Sequence, residues 1–328
     1  MPNMEKFLRK NFTLRDAGAG FLLAVLGLLI PQFILGIIWA AGTTFGGWRD
    51  FAVVQAQSFG FLIISGAALQ LILGLVYFLY TRNVGADPIR APRLQNMPAR
   101  NWLLAAAAGI AALFGLMFTS FSFDLLFTGV FGYQQPDLPA VDTAGKVILA
   151  VIFMGVLPAF FEELIFRGVI LRGLAPLGRT KAVLISAAAF AMAHMSPAQT
   201  VHQFLLGIVM ALLAWETGSI LAPMLIHFIN NALSIVLDVS GFGGLIQGLK
   251  DWEIIVIALV TLCAVCGIIY FILRFVKKPP QDETPLYAPA QNGETVVKKK
   301  LTDDKRALFF LTAGFVITAV VWITAMFF

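Results

Sequence analysis

Pro158-Ala159-Phe160-Phe161-Glu162-Glu163-Leu164-Ile165-Phe166-Arg167-Gly168 places two adjacent carboxylates and an arginine inside an apolar run that extends from Lys146 to Leu171. A run of that length reads as a helix spanning a bilayer. A charge carried to membrane depth costs between about 2.5 and well over 10 kcal/mol, so three ionisable groups within two turns call for a reason beyond packing. A staple between helices needs one carboxylate and not two.

Helix geometry separates the two glutamates. Successive residues are rotated by roughly 100°, so Glu162 and Glu163 face different directions, while Glu163 and Arg167 stand at i and i+4 and pair along one face. Pairing lets both stay ionised in a poor solvent. Glu162 is then the spare carboxylate, available for acid–base chemistry.

The remainder of the chain agrees with a membrane setting. Of 328 residues, 59% are hydrophobic and 12% charged, and the mean hydropathy is +0.86. Soluble domains carry about 25% charged residues, so an ordinary soluble globule is excluded. The formal charge of +5 comes from bases in the connections between apolar runs, which points to topology and not to nucleic acid. Cys263 and Cys266 form a CxxC inside an apolar run, where packing is the simpler reading.

The segment Met1 to Asp16, with Lys6, Arg9, Lys10 and Arg15, reads as an amphipathic cytoplasmic lead, followed by a retained first span near Gly18 to Thr43. Further apolar runs lie near Ser58 to Tyr80, Trp102 to Phe121, Lys146 to Leu171, Lys181 to His194, Val201 to Trp215, Ile220 to Val239, Trp252 to Phe275 and Ala307 to Phe328. The expected fold is all-α, a polytopic bundle of eight to nine transmembrane helices with a polar intramembrane cavity. Its divisions are 1–145 (N-terminal helices), 146–240 (core), 241–278 (one helix), 279–306 (cytoplasmic linker) and 307–328 (an appended anchor outside the site). Bases alternate between the connections, with Arg82, Arg90, Arg93 and Arg100 on one side and Asp124, Asp137 and Asp142 on the other, which puts the N-terminus in the cytoplasm. The expected location is the cell membrane.

Only three histidines occur. His194 closes Phe190-Ala191-Met192-Ala193-His194, and His227 opens His227-Phe228-Ile229-Asn230-Asn231, so Phe190 and Asn231 are their i+4 companions. Together with Glu162 these groups suit amide hydrolysis by activated water: a carboxylate beside an imidazole takes a proton, while an amide N–H and a second imidazole donate to an oxyanion. Ser196, ahead of Pro197, lacks the strand-to-helix elbow of a serine nucleophile. Two glutamates and two histidines could instead ligate zinc; against this, HExxH is absent and Arg167 sets a cation beside the ligands. His202, past the Pro197 turn, reads as interfacial.

The ordered set Glu162-Glu163-x-x-x-Arg167, Phe190-x-x-x-His194 and His227-x-x-x-Asn231 resembles that of the CAAX protease and bacteriocin-processing family of intramembrane glutamic endopeptidases. The resemblance covers Lys146 to Leu237. It implies a metal-independent peptidase without cofactor, in which Glu162 is the base, His194 helps hold the water, and His227 with Asn231 forms the oxyanion pocket. Glu163, Arg167 and Phe190 would order the site. The implied partners are the bilayer and a membrane-embedded or lipidated peptide, reached through a cavity open to the cytoplasm or laterally to lipid. The alternatives are a carrier or ion relay, for which no inverted repeat is visible, and an inert member acting in bacteriocin immunity.

Depth sets one condition. Glu162 lies past the middle of its span and His194 near the far end of the next, so the two meet only if those helices are tilted or broken, and Pro158, one turn before Glu162, offers a kink.

Overall fold

A computed structural model describes residues 12–45, 58–89, 91–133, 139–246, 248–278 and 297–327. Lys6, Arg9, Lys10, Arg90, Asp137 and linker residues 279–296 lie outside the described residues. The helices are α1 (Leu14–Phe45), α2 (Phe59–Asn83), α3 (Ala99–Phe131), α4 (Ala144–Leu177), α5 (Arg179–Ala193), α6 (Pro197–Thr217), α7 (Leu221–Val239), the short α8 (Phe242–Ile246), α9 (Asp251–Phe275) and α10 (Val297–Phe327). No strand occurs among the described residues. Eight helices are long and apolar enough to cross a membrane by length and composition, and the chain is a multi-pass membrane protein.

The run expected as a ninth span is α5. Its 15 residues reach about 22 Å, short of a hydrocarbon core of roughly 30 Å. It is an internal half-span, with Ala182, Val183, Ala187 and Phe190 buried against α6 and α4.

Of the tilt or break that the depths of Glu162 and His194 call for, α4 shows a break in its α-helical winding. Pro158 has no N–H, so the Met154 carbonyl cannot receive its i→i−4 bond. Residues Val151–Val156 wind as π-helix, the turn Leu157–Ile165 returns to α, and Phe166–Leu171 are π again. Such wide turns shift the facing of everything that follows them.

The last helix differs from the expected appended anchor. α10 packs along α1 and touches α5 and α6. The approach is close because Gly18 has no side chain: a Cβ there would stand 2.6 Å from the Ala307 carbonyl oxygen. At its far end Trp322 donates its indole N–H to Thr200 Oγ1 at 2.7 Å and stacks edge-on against Phe127.

Candidate functional site

Glu162 and Glu163 occupy the α-helical turn between the two π stretches of α4. Glu163 points inward. Its Oε1 accepts from Arg167 Nη1 at 2.6 Å, and both side chains are 0% exposed. Arg167 also donates from Nη2 to the Gly207 carbonyl at 3.1 Å, and its guanidinium lies 4.5 Å from the Phe190 ring centroid. Phe190 in turn meets the rings of His194 and His227 edge-on, at 4.8 and 5.6 Å. One aromatic ring therefore holds the arginine and both imidazoles in fixed relation.

The hydrogen bonds determine the tautomers. His194 Nδ1 lies 2.9 Å from the Phe190 carbonyl, which only accepts, so Nδ1 carries the proton. His227 Nδ1 lies 3.1 Å from Glu163 Oε1 and donates to that carboxylate. In the neutral form of each ring Nε2 is therefore unprotonated. Both Nε2 atoms stand 4.0 Å from Glu162 Oε2, which has no hydrogen-bond partner within the protein. That spacing is too long for a direct bond, but one oxygen about 2.8 Å from two such atoms would see them roughly 90° apart. The geometry suits a single water-sized oxygen between carboxylate and imidazoles.

Gln70, on α2, completes the carboxylate. Its Nε2 donates to Glu162 Oε1 at 2.7 Å, fixing one oxygen and leaving the other toward the histidines. α2 comes near enough because Gly74, one turn on, has no side chain where the Phe161 ring lies: a Cβ there would be 2.4 Å from the ring. The sequence reading does not include Gln70. A signal was present, since it is the one carboxamide in the apolar run from Ser58 to Tyr80, but nothing local says which charge it serves.

Asn231 has a structural partner of its own. Its Nδ2 donates at 3.1 Å to the Met154 carbonyl, the group that Pro158 leaves without its α-helical donor. Its second N–H remains available to the cavity it lines.

Glu162, His194, His227 and Asn231 all border one cavity of about 590 Å³. His202 borders it too, where an interfacial position was expected. The reason is register: Gln199, His202 and Gln203 occupy one face of the first turns of α6, and that face looks into the bundle. A second, mainly apolar cavity of about 370 Å³ shares Glu162 and His194 and is walled by Leu28, Leu73 and Phe166, with Val321 of α10. Thus α10, expected outside the site, closes part of it. Among the described residues no three His, Cys, Asp or Glu side chains are grouped to hold a metal ion.

No curated protein and no solved structure is significantly similar to the chain. Residues 144–233, the stretch that carries every one of these groups except Gln70, Leu28, Leu73 and Val321, match the family described as Type II CAAX prenyl endopeptidase Rce1-like, so these residues form a domain of that endopeptidase family.

Proposed function

We propose that the protein is an intramembrane glutamic endopeptidase that cleaves a membrane-associated peptide, lipidated C-terminal peptides included, by water activated at Glu162. The observation that carries this reading is the convergence of Glu162 Oε2 with both imidazole Nε2 atoms at 4.0 Å, within the segment matched to the endopeptidase family. The charge alternation of the connections supports a cell-membrane protein with a cytoplasmic N-terminus.

In this reading Glu162 takes a proton from a water held at Oε2 and His194 Nε2, and the water oxygen bonds to the scissile carbonyl carbon. The carbonyl electron pair moves onto its oxygen. Collapse breaks the C–N bond, and Glu162 returns the proton to the leaving nitrogen. The oxyanion takes donors from His227 Nε2 and the second N–H of Asn231. For His227 to donate there, both its ring nitrogens must be protonated. The pairing of Glu163 with Arg167 at 2.6 Å and with His227 Nδ1 at 3.1 Å, which sets a cation beside any metal ligands, supports water held by Glu162 over metal-bound water.

The test is cleavage of a panel of membrane-anchored and lipidated peptides by purified protein. Wild type should cleave with a chelator present, and Glu162→Gln, folded as wild type, should not. Retained cleavage by Glu162→Gln would overturn the role of Glu162. Loss of wild-type activity to chelator, restored by added metal, would replace the glutamic mechanism with a metal one.

A further inference from the structure

The helices can be ordered end to end by their cross-links. At one end Asn101, at the start of α3, exchanges two hydrogen bonds with Lys277, just past α9. At that same end Glu216, near the end of α6, pairs with Arg179 at 2.7 Å and with Lys278 at 3.3 Å. At the other end Trp322 of α10 meets Thr200 of α6 and Phe127 of α3. Among the described residues, every lysine and arginine except Lys146, Lys250 and the buried Arg167 falls at the first end, in connections or near helix termini. By the positive-inside rule that end is cytoplasmic.

The large cavity is built from the opposite half. Gly66 and Phe153 lie early in helices that start away from the basic end, and Ser120 lies late in one that starts there. Along α7 the lining runs outward through His227, Asn230 and Ser234 to Asp238, one residue from the helix end. Ser234 and Asp238 are exposed, so this is the mouth. Toward the basic end the way is shut. Phe166, Ile170, Leu171 and Leu174 are fully buried below Glu162. The 84–98 segment is fastened beneath them: Arg172 donates to the Ala91 carbonyl, and Ser219 Oγ donates to the Gln95 carbonyl at 2.7 Å.

We propose that the reaction cavity opens on the face away from the cytoplasm, so that the substrates are peptide segments, lipidated or not, presented at the outer leaflet or beyond it, and segments held on the cytoplasmic leaflet are not. The opening follows from charge and geometry alone; the word substrate rests on the peptidase reading above. It departs from the cytoplasmic or lateral opening expected from sequence.

Sidedness is read by cysteine accessibility, which needs no turnover. In full-length protein with Cys263 and Cys266 changed to Ser, single variants Ser234→Cys and Asp238→Cys report the mouth, and Arg179→Cys reports the basic end. A membrane-impermeant maleimide should modify Ser234→Cys and Asp238→Cys in right-side-out vesicles, with loss of modification in inside-out ones. Arg179→Cys should show the reverse. Mouth and basic-end cysteines modified from one and the same side would overturn the geometry, and so would mouth cysteines modified from neither. The reversed pattern at all three positions would overturn the assignment of the basic end. Failure of the peptidase reading would leave these results untouched and show only in the Glu162→Gln comparison.

Discussion

Replacing Arg167 by Met should be among the most damaging single changes in this protein, and more damaging than replacing Arg167 and Glu163 together. Glu163 is fully buried, its Oε2 has no partner, and its Oε1 depends on Arg167 Nη1 at 2.6 Å and His227 Nδ1 at 3.1 Å. Removing one partner of a buried pair typically costs about 3–5 kcal/mol, because the other charge is left uncompensated. The His227 N–H that stays behind should hold the cost near the lower figure. The double variant Glu163→Leu/Arg167→Met removes both charges and leaves one smaller debt, the His227 N–H, at about 1–3 kcal/mol for a buried unsatisfied group, since the Gly207 carbonyl lies inside α6 and keeps its helical donor. The assay is reversible unfolding in mixed micelles for wild type, both single variants and the double, read as a double-mutant cycle. A single Arg167→Met variant that is no less stable than the double would refute the idea that the arginine is held to neutralise Glu163.

Gln70→Leu keeps the size of the side chain and removes the 2.7 Å bond to Glu162 Oε1; a hydrogen bond to a charged group contributes about 1.5–3 kcal/mol, so kcat should fall roughly tenfold to a hundredfold with the fold intact. Equal kcat values in steady-state peptide cleavage would count against a positioning role. Gly18→Val should weaken the packing of α10 on α1, since even a Cβ would sit 2.6 Å from the Ala307 carbonyl; overpacking of this kind costs about 1–3 kcal/mol, measurable by thermal unfolding in detergent. Phe190→Leu should lower activity more than stability, because it removes the ring against which Arg167, His194 and His227 are all set; paired activity and unfolding measurements separate the two effects.

What the sequence made legible was local. Glu163 with Arg167, and His194 with Phe190, are i and i+4 neighbours, and each pair meets in the structure through a bond of 2.6 or 2.9 Å. The break at Pro158 was legible for the same reason, since a missing N–H is a property of one residue. The form of the break was not, because a π turn depends on what receives the freed carbonyl, and that donor, Asn231, is on another helix. His202 was misread by register: its distance from the Pro197 turn suggests a surface, while the face it shares with Gln199 and Gln203 is settled only by how α6 packs. The docking of α10 was equally hidden. Its apolar sequence suits lipid on every side, and what binds it to α1 is a close approach at Gly18, visible only with both helices in place.

The family-matched segment cannot form this site by itself. Residues 144–233 supply Glu162, both imidazoles and the Glu163–Arg167 pair, yet the oxygen orientation of Glu162 comes from Gln70 on α2, and the second cavity needs Leu28 of α1 and Val321 of α10. These outer helices face two solvents. Toward lipid they need only be apolar, a requirement many sequences meet, and toward the site they must place one amide and a few apolar side chains within tenths of an ångström. On the proposed reading, the reacting groups are concentrated in a short stretch with a recognisable pattern, while the shape of the cavities beside Glu162 is set in part by helices whose own sequences advertise only membrane insertion. Differences in substrate between proteins that share the core should accordingly map to the walls contributed by α1, α2 and α10. Exchanging Leu28 or Val321 for Ala should alter which peptides are cleaved before it alters whether Glu162 can act, and a panel in which every peptide loses rate in the same proportion would show that the second cavity does not select.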